Sequence, residues 1–192
     1  LAKAQAELAA EDPADPEPED REDSATGCCV LMPAADPKLH AAVSRAIGQT
    51  LSSEDDPHVT VLYLGDIGPD AVAEVSAAVA EEARVTEATM LERGSVRAFP
   101  AGEKGAPIVV EFSDTWALGS LHDRLLRRLA HLVVAKQHRS FRPHQTLGYA
   151  SQPLTPEATT ARRGVSAEGG RGPVSELRVM SGGVLVSTAV IG

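Results

Sequence analysis

Aromatic residues are scarce in this chain: one Trp, two Tyr and three Phe among 192 residues. Hydrophobic residues still make up 43% of the sequence, which excludes wholesale disorder and leaves Ala, Val and Leu to build the core. Cysteine is almost absent as well. Cys28 and Cys29 are adjacent, and chain neighbours cannot staple distant segments. A disulfide framework is therefore excluded, and a reducing compartment fits best. No apolar run approaches the roughly 18 residues of a membrane-spanning helix, and no basic-then-apolar leader is visible. The expected location is the cytoplasm, without a membrane partner. Gly169-Gly170 and Gly182-Gly183 lack phosphate-loop spacing and read as turns. His122 and His131 lie nine residues apart on one predicted helix, so they do not share a face and make poor metal partners. No metal and no cofactor is expected.

The net charge of −9 is unevenly spread. Residues 1–25 hold nine acids and two bases, leaving 18 acids and 16 bases for the remainder, which is thus close to neutral. A long-range field of either sign is not what brings a ligand to it. Residues 1–26 read as an Ala-rich start running into an acidic, Pro-rich linker, too polar to offset its ordering entropy. The expectation is a linker over 1–26 and a globular domain over 27–192. That domain would be cut from a longer polypeptide, or be part of a processed chain, and be monomeric in isolation.

Within 27–192, Cys28–Pro33 is a short apolar strand. Asp36 and Pro37 open a helix whose Leu39, Val43 and Ile47 share one face. The strand His58–Gly65 follows, and then a helix with Val72, Val75 and Val79 on one side. A strand pair is expected around Met90–Phe99 and Pro107–Ser113. Asp114 or Thr115 caps a third helix carrying Leu118, Leu121, Leu125, Leu129 and Leu132. Another strand spans Pro143–Ala150. Gln152–Pro173, rich in Pro, Thr and Gly, reads as a mobile loop. Two strands near Ser175–Ser181 and Val184–Ile191 close the chain. The pattern is an α+β or mixed α/β domain without a nucleotide fingerprint.

Two of these strands echo each other. Pro57-His58-x-Thr60-x-x-Tyr63 recurs as Pro143-His144-x-Thr146-x-x-Tyr149. Each follows a short apolar strand and an Asp-capped helix, so an approximate two-fold relation would set the two strands side by side or across a groove. Side chains at i and i+2 of a strand share a face. His58 therefore projects with Thr60, and His144 with Thr146. Tyr63 and Tyr149, at odd offset, should point to the other face and pack there unless a bulge re-aims them. A lone histidine in such a strand is most simply a core residue. A matched pair suggests chemistry, because neutral imidazole can take a proton from water and imidazolium can give one to a leaving oxygen. Threonine hydroxyls can donate to the non-bridging oxygens of a phosphate held between the two rings. No metal is needed for that scheme.

With these motifs the chain resembles the two-histidine (2H) phosphoesterases, the superfamily that includes the bacterial RNA ligase-like cyclic phosphodiesterases. His58-Val59-Thr60-Val61-Leu62-Tyr63-Leu64-Gly65 is similar to the first family motif, and Phe141-Arg142-Pro143-His144-Gln145-Thr146-Leu147 to the second. The resemblance covers roughly 28–192. It implies two pseudo-symmetric lobes of antiparallel sheet with helices outside and a central cleft. It also implies His58 and His144 as the acid–base pair, and Thr60 and Thr146 as phosphate ligands. The implied substrate is a 2′,3′-cyclic phosphate of RNA or a nucleotide, or a related cyclic or 2′–5′ linked oligonucleotide, and not a DNA duplex. Gly148-Tyr149 stands where many relatives place a small and then a basic residue. The domain is also similar to those fused to structural or maturation proteins of actinobacterial phages, which would make it virion-associated. A module that binds a nucleotide or RNA end without cleaving it is the alternative.

The bases Arg124, Arg127, Arg128, Lys136, Arg139 and Arg142 cluster before the second motif. They could steer a polyanion, although a solvated helix face accounts for the first three. Arg139 and Arg142 belong to the loop that feeds the site, and Arg142 shares parity with His144. Phe141 is a candidate for stacking on a base or for a core position, and Tyr149 is a candidate substrate contact.

Overall fold

The structure is a computed structural model and describes residues 27–34, 37–52, 57–88, 90–102, 104–112, 116–137, 140–166, 171–173 and 175–192. The expected linker, the caps at Asp36 and at Asp114 or Thr115, and the residues His138 and Arg139 lie outside the described residues.

The chain runs β1 (Cys28–Pro33), α1 (Pro37–Ile47), β2 (His58–Gly65), α2 (Pro69–Val85), β3 (Met90–Ala98), β4 (Ala106–Phe112), α3 (Trp116–Leu129), β5 (His144–Ala150), α4 (Pro156–Ser166), β6 (Arg171–Pro173), β7 (Glu176–Ser181) and β8 (Val184–Val190). The strands form one eight-stranded sheet in the order β6-β3-β4-β5-β2-β1-β7-β8, and the recorded pairings are antiparallel. The fold is α+β, as expected.

The sheet divides at its centre into two lobes of four strands. A two-fold relation exchanges β2 with β5, β1 with β4, and β7 with β3. The helices obey the same exchange. α2 and α3 pack together against β7, β8 and β2, while α4 and α1 pack together against β3 and β5. Each lobe is thus roofed partly by a helix from the other half of the chain. The expected apolar stripes are what these helices bury: Leu39, Val43 and Ile47 on α1, Val72, Val75 and Val79 on α2, and Leu118, Leu121, Leu125 and Leu129 on α3. Leu132 lies past the end of α3 and is half-buried. Arg124 and Arg128 pair with Glu82 and Glu81 of α2, so these bases tie two helices together rather than face the site.

The segment expected as a mobile loop contains α4. Its start is encoded in Thr155-Pro156-Glu157. The Ala158 N–H donates to Thr155 Oγ1 at 3.2 Å, Pro156 has no N–H that would need an acceptor in the first turn, and Glu157 suits the positive helix end. A hydrogen bond from its own backbone N–H, and then one from the Thr155 hydroxyl, hold the Glu157 carboxyl below its ordinary range. The helix is hard to read from sequence because its buried stripe is thin. Among the described side chains it consists of Ala158 and Arg162, whose guanidinium donates to the Val96 carbonyl of β3 at 2.8 Å, with Val165 half-buried beside them.

Cys28 and Cys29 are buried in β1 as free thiols. Burial pushes Cys28 up to about 11 and Cys29 up to about 12, from an ordinary 9.0. Only the thiolate is a competent nucleophile. We therefore expect neither to react with iodoacetamide at pH 8 in the folded protein, and both to react in denaturant, as read by mass spectrometry. Above pH 9 the thiols of the unfolded chain ionise while the buried ones do not. Stability should accordingly be intact below pH 9 and decline above it, which urea titrations at pH 8 and pH 10 would show.

Candidate active site

The two motif strands meet at one residue pair, Val59 opposite Gln145. In an antiparallel ladder the flanking positions then set His58 opposite Thr146 and Thr60 opposite His144. The four motif residues therefore occupy one face as a reciprocal square, with each histidine beside the threonine of the other lobe. Burial agrees: His58, Thr60, His144 and Thr146 are half-buried, whereas Val59 and Gln145 between them are buried on the helix side.

Both strands carry a bulge one turn of the pleat further on. β1 passes from Leu31 opposite Thr60 to Val30 opposite Leu62, so β2 holds one extra residue there. β4 passes from Val109 opposite Thr146 to Ile108 opposite Gly148, and β5 likewise holds one extra. An extra residue inverts the alternation beyond it. Cys29, on the face of Leu31 and Thr60, pairs with Tyr63, and Pro107, on the face of Val109 and Thr146, pairs with Tyr149. Both tyrosines thus turn to the motif face, and the expectation that they pack on the opposite face is corrected. The bulges were the missing information. Neither tyrosine belongs to the helix-side core, and both are half-buried.

Past the Val59–Gln145 contact, β2 and β5 part company; α3 and the chain after it take up the edge of β2, and the chain after α1 takes up that of β5. The Val61 carbonyl accepts from buried His122 Nδ1 at 2.7 Å. The Tyr63 carbonyl accepts from Gln137 Nε2 at 2.7 Å, and the Leu64 carbonyl accepts from the N–H groups of Val134 and Ala135 at 2.9 and 3.1 Å. On the other strand, the Ser52 N–H donates to the Tyr149 carbonyl at 3.3 Å, and Ser52 Oγ accepts from the Tyr149 N–H at 3.2 Å. These partners replace a sheet neighbour and keep the two strands splayed.

The His144 ring is held on two sides. Its Nδ1 donates to the Arg142 carbonyl at 2.8 Å, which fixes the tautomer and makes Nε2 the basic nitrogen of the neutral ring. Phe99, between β3 and β4, meets it edge-on with centroids 5.1 Å apart and planes at 68°. Arg142 itself is exposed. Phe141 stacks on His122 with centroids 4.2 Å apart and planes within 3°, and it packs against the core. Phe141 is half-buried.

Sequence reasoning missed the outer members of the motif face. Glu111 stands opposite His144, and Arg97 stands opposite Val109. Arg97 Nε lies 2.7 Å from Glu111 Oε2 and 3.3 Å from Ser95 Oγ. On the other lobe Arg178 stands opposite Leu31 and donates to Glu176 Oε1 at 2.8 Å. Period-two spacing, Ser95-x-Arg97 and Glu176-x-Arg178, was the available signal, but nothing in the sequence tied those strands to the motifs.

The 2′-5′ RNA ligase superfamily matches residues 33–183 of the chain. Among solved structures, the chain is similar to TT0787 of Thermus thermophilus, at a TM-score of 0.63 and 14% identity. It is also similar to E. coli LigT complexed with 3′-AMP, at a TM-score of 0.57 and 12% identity. Each likeness covers 86% of this chain and 98% of the other. No curated protein sequence matches. The chain belongs to the 2′-5′ RNA ligase superfamily, the two-histidine phosphoesterases, and the superfamily supports a phosphoesterase activity.

Gly148 tests the bulge directly. It holds φ +150°, and an added Cβ would collide with the backbone oxygen of Ser52. Gly148→Ala should cost more than ~2 kcal/mol in urea unfolding. Gly119→Ala, a helical position with open space around it, should be neutral or mildly stabilising.

Proposed function

We propose that this chain is a metal-independent phosphodiesterase whose acid–base pair is His58 and His144. Its substrate class is a 2′,3′-cyclic phosphate of RNA or a nucleotide, or a related cyclic or 2′–5′ linked oligonucleotide. The observation that carries this reading is the reciprocal square across the Val59–Gln145 contact.

A phosphate seated over the square has an imidazole on each side and a threonine hydroxyl beside each imidazole. One ring takes a proton from water as the water oxygen bonds to phosphorus. The bond from phosphorus to the leaving oxygen breaks, and the other ring, entering as imidazolium, gives that oxygen its proton. Thr60 and Thr146 donate to the two non-bridging oxygens, where charge accumulates. The two rings end with exchanged protonation states and reset through solvent. Tyr149 and Arg142 are candidate substrate contacts.

Product formation from 2′,3′-cyclic nucleotides and from 2′–5′ linked and cyclic oligonucleotides, followed by chromatography, tests the proposal. Because imidazole accepts one proton and imidazolium supplies the other, activity should persist in EDTA. It should also follow a bell-shaped pH profile. His58→Ala and His144→Ala should each lower kcat about 10²–10⁴-fold with the unfolding midpoint maintained. Binding across the panel without turnover would replace the enzyme with a nucleotide-binding module, and full activity in His58→Ala would reject the mechanism.

A further inference from the structure

The motif face continues beyond the square, and the continuation is symmetric. On one lobe the row runs Thr146, Val109, Arg97 across β5, β4 and β3. On the other it runs Thr60, Leu31, Arg178 across β2, β1 and β7. The two-fold relation that exchanges the His-x-Thr motifs therefore also exchanges Arg97 with Arg178. Val109 and Leu31, the middle members, are buried yet lie outside the helix-side core, so the side chains of their own face close over them. Each arginine is a little over a quarter to a third exposed, at 36% for Arg97 and 29% for Arg178.

Their fixation is matched too. Arg97 Nε donates to Ser95 Oγ and pairs with Glu111, and Arg178 Nε donates to Glu176, in each case from the residue two positions earlier or its neighbour on the same face. The carboxylate takes the Nε donor of each arginine, and in Arg178 an Nη2 donor as well, which orients the planar guanidinium. Each Arg Cα is two strand spacings, ~10 Å, from the motif threonine of its lobe. A side chain reaching inward over Val109 or Leu31 shortens that separation.

We infer that Arg97 and Arg178 are a pair of phosphate-binding positions flanking the seat, so that the ligand is a single-stranded oligonucleotide continuing on both sides of the phosphate held by the two motifs. A terminal cyclic phosphate has a chain on one side only and engages one arginine. A phosphodiester within a strand engages both. The inference rests on the motif square as the phosphate seat, but it concerns binding and is separable from turnover.

The experiment uses His58→Ala protein, so that no probe is consumed, and fluorescence anisotropy. It compares an RNA tetranucleotide, with a phosphate on each side of its central one, against a dinucleotide with a single phosphate. The tetranucleotide should bind at least about tenfold more tightly, and its log Kd against log salt should be steeper by about 1.4, two additional phosphates at roughly 0.7 each. Adding Arg97→Gln or Arg178→Gln should reduce the tetranucleotide-to-dinucleotide ratio at least about threefold and lower the slope by about 0.7. Arg127→Gln, on the exposed face of α3, should leave the ratio as it was. Equal affinity and equal salt slope for the two probes overturn the inference even if neither arginine variant folds. So does a ratio that survives both substitutions. Absence of turnover in the parent protein, with the ratio and slopes as expected, would reject the phosphodiesterase and leave the binding positions standing.

Discussion

The short antiparallel contact between Val59 and Gln145 is the constraint on which the rest of this structure depends. It is the one recorded pairing between β2 and β5, and it joins the two halves of an eight-stranded sheet. A longer ladder would zip the motif strands together and close the seam. A missing one would let the lobes drift and separate the histidines. One pair suffices because the remaining edge groups are satisfied elsewhere. His122, Gln137 and the post-α3 backbone cover β2, and Ser52 covers β5. An unpaired buried backbone group costs as much as a lost hydrogen bond. These contacts are therefore what makes a splayed seam compatible with stability.

The exchange of helices strengthens the seam. If α1 packed on the lobe of its own flanking strands, each half could fold and move independently, and the single strand contact would be a hinge. Instead α1 packs with α4 and β5, and α3 packs with α2 and β2. Each half of the chain anchors part of its apolar stripe in the lobe of the other, so pulling the two halves of the chain apart would expose Leu39, Val43, Leu121 and Leu125 at once. Burial of several aliphatic side chains, at roughly 1.5–3 kcal/mol each, outweighs anything the narrow strand contact contributes. Register is specified at the seam, and rigidity is supplied by the helices.

Much of this was legible in the sequence because the relevant signals are local. The His-x-Thr echo placed four residues on two strands by parity alone, and the apolar spacing of Leu39, Val43 and Ile47, or of Leu118 to Leu129, marked the helices that roof them. What escaped was non-local or weak. Tyr63 and Tyr149 were assigned to the wrong face because a bulge is visible only against the partner strand, and β1 and β4 supply the register that reveals it. Helix α4 was missed because Arg162 occupies a buried position where an apolar residue would have signalled a stripe. Glu111, Arg97 and Arg178 come from strands with no motif of their own and Phe99 from the link between two of them, and strand order alone brings them to the site.

The two-fold relation fails at the histidines themselves. Across the outer neighbour of each motif strand, His144 faces Glu111, whereas His58 faces Pro33. His144 also has Phe99 against its ring edge and its Nδ1 committed to the Arg142 carbonyl. Two imidazoles related by register alone would be interchangeable, and nothing would orient a phosphodiester with distinguishable ends. The proposed in-line displacement is directional: one ring accepts a proton on the attacking side and the other releases one on the leaving side. Any preference for which ring begins must therefore arise from residues that break the symmetry. Glu111 is the nearest charged one in the ladder, and Arg97, which neutralises it, belongs to the pair of positions inferred to read the flanking phosphates. If the inferred phosphate contact at Arg97 is made, it changes how strongly Glu111 is screened beside His144, which would join the outer row to the motif square electrostatically on one lobe.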